Sequence, residues 1–242
     1  MPLLDHFHPP LLDLPPWSSI ATTWAVTLMR WLNRTLPPGE FIAYPTIHLG
    51  TQVEADVAEY DMRANGVNGG HHNGNGQAVA TLPEAPPALC TIQADFPDDI
   101  EVRVGTSRHE LNLCGVIELV SEGNKKEIGE RLAFVTKCAA YLQKGIGVVV
   151  IDVVTNRLAN LHNQLMQLIG GPLPPLLPAA PPNYVASYRP VRRAGRNEID
   201  VWPYTVGVGS LLPAAPFALR RGPTLVVDLE TTYTEAVHDL GL

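Results

Sequence analysis

Residues 147–154, Gly-Val-Val-Val-Ile-Asp-Val-Val, are apolar and β-branched at nearly every position. A strand with one wet face would alternate with polar residues. This run predicts a strand covered on both faces, as in the interior of a parallel sheet. Upstream lie an apolar stretch, His109–Val120, and a helical one, Glu127–Lys144, with Gly145 as its C-cap. Strand, helix and strand in that order favour parallel neighbours joined by a right-handed crossover. A second helix is expected over Arg157–Ile169, stopped by Gly170-Gly171.

The flanking segments extend the sheet. A helix running to Asn33, with Ser18 or Ser19 as N-cap, sets Ile20, Trp24, Leu28, Trp31 and Leu32 near one face. Phe41–Leu49 and Gln52–Tyr60 read as a hairpin turning at Gly50-Thr51. Further strands are expected at Leu89–Gln93, Ile100–Val104, Tyr184–Tyr188, Glu198–Tyr204 and Thr224–Asp228, then a short helix from Thr231 or Thr232. The fold class is α/β: one domain over residues 1–242 with a central mixed β-sheet flanked by helices. Proline, 23 residues in all, gathers near Pro9–Pro16, Pro83–Pro87, Pro172–Pro182 and Pro213–Pro216 and reads as rigid connectors. Residues 64–88 form an insert whose Asn/Gly-rich part offers little to pack, so a flexible loop is expected there. His71 and His72 within it would pay a large ordering cost to hold a metal, which favours a solvated tip.

Composition removes several classes. No apolar run reaches the roughly 20 residues that span a bilayer, and the first residues lack the basic and apolar regions of a signal peptide. A cytoplasmic protein without a membrane partner is the expectation. Cys90, Cys114 and Cys138 show no metal-ligand spacing and read as small core residues. A formal charge of −7 opposes non-specific binding to nucleic acid, although Arg189, Arg192, Arg193 and Arg196 cluster, as do Arg220 and Arg221. Gly-x-Ser-x-Gly is absent, so no serine-hydrolase elbow is offered.

Two charges sit where an ordinary core would refuse them. Glu118 interrupts the apolar run Ile117–Val120, and a buried carboxylate is costly unless it meets a cation or metal. Lys137 lies in the apolar helix on a stripe with Glu130, Phe134 and Tyr141; it either snorkels to solvent or belongs to a site. On the early hairpin, Glu54 and Asp56 share one strand face. An Asp, a Glu and a Lys converging from strand, strand and helix would make a hard-oxygen site for Mg²⁺ or Mn²⁺ with an ammonium beside it. Asn124 and Lys125 follow the strand in a turn, which serves either a phosphate or only a cap. Arg131, in the first turns of a helix, is expected to pair with Glu118 or Glu127. Asp152 either supports the site or merely ends its strand.

Ile117-Glu118-Leu119-Val120-Ser121, then Lys137-x3-Tyr141-x3-Gly145-Ile146, then Val150-Ile151-Asp152, resembles the Uma-type restriction-endonuclease-like proteins of the PD-(D/E)XK nuclease superfamily. The chain is also similar to a bacterial family of unknown function that shares Ile-Glu-Leu-Val/Leu-Ser-x-x-Asn-Lys. The likeness spans most of residues 17–240 and is strongest over 116–152. It implies a restriction-endonuclease-like core and Mg²⁺-dependent cleavage of DNA, with homodimerisation common among duplex-cutting enzymes. By that likeness Asp56 and Glu118 are the catalytic metal carboxylates and Lys137 the catalytic lysine, moved from strand to helix. Glu54, Lys125, Arg131, Tyr141 and Asp152 would support them. Val120 stands where the superfamily's namesake lysine would be, and Ala55 replaces the proline of the Pro-Asp pair. More than sixty residues separate Asp56 from Glu118, so Asp98 or Glu101 is an alternative first acid. The rival reading is a non-catalytic binding or assembly module in which these charges form a buried ionic cluster.

Overall fold

The structure is a computed structural model that describes residues 1–12, 15–45, 57–61, 86–93, 112–170, 176–178 and 183–242. The first helix, α1 (Trp17–Thr35), begins at Trp17 rather than at a serine cap. Its N-cap is Pro16 without a side-chain bond, and Ser18 and Ser19 lie inside the first turn. The Trp17 indole N–H donates to the carbonyl of Val120 at 3.1 Å, which fixes that residue as the helix start. The predicted stripe is buried except for half-exposed Trp31.

The hairpin follows as β1 (Phe41–Pro45) and β2 (Val57–Asp61), antiparallel with Phe41 opposite Asp61 and Pro45 opposite Val57. Then come β3 (Cys90–Gln93) and β4 (Asn112–Leu119). The expected strand at 100–104 lies outside the described residues. The helix predicted over Glu127–Lys144 is α3 (Ile128–Gln143), and the stretch before it, read as a turn, is a further short helix, α2 (Glu122–Lys126), parted from α3 by Glu127 in extended backbone. A capping box between Ser121 and Asn124 starts α2, and its donors are satisfied before α3 begins. Gly145, at φ +77°, closes α3: its N–H bonds the carbonyl of Leu142 and that of Ile146 bonds Tyr141. That is a Schellman motif, which needs a left-handed residue at this point.

The chain continues through β5 (Gly147–Asp152) and α4 (Leu161–Ile169), four residues shorter than predicted because Asn160 caps it through the N–H of Asn163. Strands β6 (Tyr184–Arg193) and β7 (Arg196–Thr205) run longer than predicted, joined by a tight turn with Ala194 and Gly195 at φ +48° and +81°. The stretch Pro213–Pro216, expected as a connector, is largely a strand, β8 (Ala214–Ala218), paired to β9 (Thr224–Asp228). Pro216 is tolerated because a two-stranded ribbon leaves its nitrogen side unpaired. Helix α5 (Leu229–Asp239) starts earlier than predicted, capped by Asp228 through the N–H of Thr231.

Among the described residues seven strands form one mixed sheet in the order β1-β2-β4-β5-β6-β7-β3. Strand β5 is parallel to β4, as the apolar run predicted, and antiparallel to β6. The two faces can be told apart by parity. A Cβ on Gly115 would stand 2.5 Å from Phe217, and one on Gly147 would stand 2.0 Å from the carbonyl oxygen of Ala218. Odd positions of β4 and β5 therefore lie under the β8–β9 hairpin, which packs with α5 and, through it, α1. Even positions, including Glu118, Val150 and Asp152, face α3 and its neighbours α2 and α4. The N-terminal segment is packed on the fold: Leu3 and Phe7 are buried, and His6 bonds the Tyr233 hydroxyl at 2.7 Å. No helix among the described residues is long and apolar enough to cross a membrane.

Candidate functional site

Glu118 is the penultimate residue of β4 and points at α3 for the parity reason just given. Lys137 comes to meet it, with its Nζ 2.9 Å from Glu118 Oε2, and both side chains are at most 4% exposed. Lys137 therefore does not snorkel to water. Its ammonium also lies 5.2 Å from the Phe134 ring centroid, so the stripe residue one turn earlier shields it. Tyr141, one turn later, is half-exposed and packs with Val116 and Ile146. Beside Lys137 the outer side of α3 forms an open groove of about 620 Å³ lined by Leu132, Ala133, Thr136, Ala140 and Tyr141.

A second pair lies one strand over. Lys125, fully covered, reaches from α2 to Asp152 at the end of β5, 3.0 Å from Oδ1 and 2.9 Å from Oδ2. Its ammonium also donates to the carbonyl of Val154 at 3.2 Å, and the Val154 N–H donates to Asp152 Oδ1. Burial pushes the Asp152 carboxyl up to about 7, against the opposing pull of Lys125. Lys125 is thus not a phosphate ligand in a turn; it is the cation that makes a buried carboxylate tolerable. Nor is Asn124 free for phosphate, because its side chain accepts from the Ser121 N–H at 2.9 Å.

Arg131 corrects another expectation. Its guanidinium donates to the carbonyls of Lys125 and Lys126, both at 3.2 Å, and so satisfies the last carbonyls of α2. It is a clamp between the two helices, made through backbone oxygens rather than through Glu118 or Glu127. Cys138, next to Lys137, is fully buried, and burial first and Glu118 second raise its thiol well above the usual range. It is a core thiol, as expected of all three cysteines.

Glu54, Asp56, Asp98, Glu101, His71 and His72 lie outside the described residues. Of the expected metal carboxylates only Glu118 is described, and among the described residues no group of three or more His, Cys, Asp or Glu gathers as for a metal. Glu118 supplies one hard oxygen donor beside an ammonium, which fits half of the expected site. Val57, the first described residue of β2, is paired with Ile117, next to Glu118.

One polar cluster was missed. Asp200 is fully buried on β7 and bonded by Arg189, Arg193 and Thr91. Its signal was present in the sequence. A two-residue turn at Ala194-Gly195 sets Arg189 directly opposite Asp200, a register that the pairing has.

The class defined by these features is an α/β protein with a mixed sheet and two dry acid–amine pairs between the sheet and α2–α3. Comparison of the chain with protein-family models, curated proteins and solved structures finds no match.

Proposed function

We propose that the chain is a metal-dependent phosphodiester hydrolase of the restriction-endonuclease-like class, acting on DNA. The observation that carries this reading is the Glu118–Lys137 pair: a strand carboxylate and a helix amine in contact, next to a groove, with the strand that follows Asp56 on the adjoining β2. The element order supports it as well. The β1-β2 hairpin, strand β4 with Glu118, the crossover helix α3 with Lys137 and the parallel β5 ending in Asp152 follow in the order in which the resemblance sets these motifs. The reading requires Asp56 to join Glu118, one pair beyond Val57–Ile117, as the two carboxylates that hold Mg²⁺ or Mn²⁺. Such an ion would polarise a phosphoryl oxygen and acidify a water. Lys137 orients Glu118, and an ammonium at this point suits the developing charge on the attacking water or the phosphate.

The test is metal-dependent melting. Wild type should gain thermal stability in millimolar Mn²⁺ or Mg²⁺, whereas Asp56→Asn and Glu118→Gln should not. Lys137→Met should keep part of the metal response and lose cleavage of duplex DNA by about a hundredfold or more. Identical melting of wild type and Glu118→Gln across both metals sinks this reading. The second reading, a non-catalytic module on the same fold, is favoured by the Lys125–Asp152 pair, a charge pair of the same kind that serves only to hold α2 on β5.

A further inference from the structure

We infer that the cavity between the β8–β9 turn and the start of β5 binds a small polyphosphate-type anion, independently of Glu118. It has a volume of about 270 Å³ and is lined by Arg189, Arg220, Arg221, Thr224 and the backbones of Gly145 and Gly147. Gly147 opens β5 and Asp152 ends it, five residue steps that span about 16 Å at strand rise. This cavity and the acid–amine pairs therefore sit at opposite ends of the strand.

Of the three arginines, Arg189 is held by Asp200. Arg220 and Arg221 are exposed and make no ion pair among the described residues. Two guanidiniums side by side without a carboxylate partner form a local positive point in a chain with 24 acids against 17 bases, and so attract an anion that the rest of the surface repels. Their backbone is fastened in place: the Arg220 N–H donates to the carbonyl of Cys114 at 2.8 Å, and the Leu219 N–H to that of Pro223 at 3.0 Å. The positions are therefore set before any ligand arrives.

Arg221 also holds a left-handed backbone, φ +59°, which an arginine adopts at a cost. Glycine is not excluded from this turn, since Gly222 follows. That glycine serves another need, because a Cβ there would stand 2.7 Å from the Phe41 ring. A strained arginine, where glycine or asparagine would be easier, points to the guanidinium as the reason for the residue. Arginine forks suit phosphate oxygens, and the Thr224 hydroxyl adds a neutral donor. The small volume of the cavity and the net negative charge of the chain favour a short anion over a long nucleic-acid strand.

Pyrophosphate in metal-free buffer is the probe, followed by calorimetry on the full chain. Saturable binding should weaken by about tenfold or more in Arg220→Ala and in Arg221→Ala. It should survive in Arg192→Ala, an exposed arginine outside the cavity. Arg221→Gly should melt higher than wild type yet bind more weakly, a combination that a purely structural turn would not produce. Absence of saturable binding overturns the inference, as does equal loss in Arg192→Ala, which would mark bulk charge. If oligothymidylate displaces pyrophosphate at a lower concentration per phosphate, the small-anion assignment falls to a nucleic-acid one. Loss of binding here with an intact metal response at Glu118, or the reverse, separates this site from the proposed hydrolase centre.

Discussion

Asp152 and Asp200 are both fully covered carboxylates on the same sheet, on opposite faces, and they titrate in opposite directions. Asp152 meets one cation, Lys125, which is itself wholly buried, and burial prevails, pushing the carboxyl up to about 7. Burial also acts to raise Asp200, but hydrogen bonds from Arg193, Arg189 and Thr91 outweigh it and hold that group at about 2. The partners make the difference. Arg189 and Arg193 keep 34% and 46% of their side chains in water, so their own charges are not desolvated. A carboxylate under the rim can collect several charge-assisted bonds from half-wet arginines. One deep in the core, with a single dry lysine, faces the desolvation of both ions.

The sharpest way to break this comparison is to remove the lysine. Lys125→Met should cost about 3–5 kcal/mol of stability near pH 8, where Asp152 must either stay charged without a partner or take up a proton against the solution pH. Lys125→Met combined with Asp152→Leu should recover most of that loss in urea denaturation. A single-variant cost below about 1 kcal/mol would mean that the pair is not ionised in the native state.

The pH dependence should distinguish the two acids next. The Asp152 carboxyl is raised above its ordinary 3.8, so its contribution is fully present below that value and is lost as pH rises towards about 7. Wild type minus Asp152→Asn should therefore show a stability difference falling by up to about 1.4 kcal/mol per pH unit across that window. For Asp200 the sign reverses: its contribution is present above 3.8 and is lost as pH falls through about 2. Carboxyl-carbon NMR titration of both groups reads the ordering directly. The smallest effect is expected of Arg193→Ala, at most about 1 kcal/mol, because that arginine is half-exposed and Arg189 stays on Asp200.

Much of the central architecture was legible in the chain. The β-branched run at 147–152 is the parallel strand, and the left-handed Gly145 ends the preceding helix as expected. Glu118 and Lys137, singled out because each is costly alone, do meet. What escaped was of two kinds. Helix starts at Trp17, Leu161 and Leu229 were set by individual hydrogen bonds that periodicity does not record. Strand β8 escaped because proline clusters read as connectors, whereas a two-stranded ribbon has room for Pro216. Asp56 and its neighbours or alternatives Glu54, Asp98 and Glu101 belong to stretches outside the described residues.

Apolar periodicity, glycine punctuation and the misplaced charges settled that this is an α/β chain with a parallel βαβ unit and a polar point at Glu118. Those signals are local, because burial imposes its repeat on neighbouring residues. The choice of partner for each charge belonged to the tertiary structure alone. Lys137 meets Glu118, Lys125 meets Asp152, Arg131 meets backbone carbonyls and Arg189 meets Asp200. Coulomb attraction does not discriminate one carboxylate from another along a sequence. Strand register and helix docking decide which oxygen stands within about 3 Å of which nitrogen.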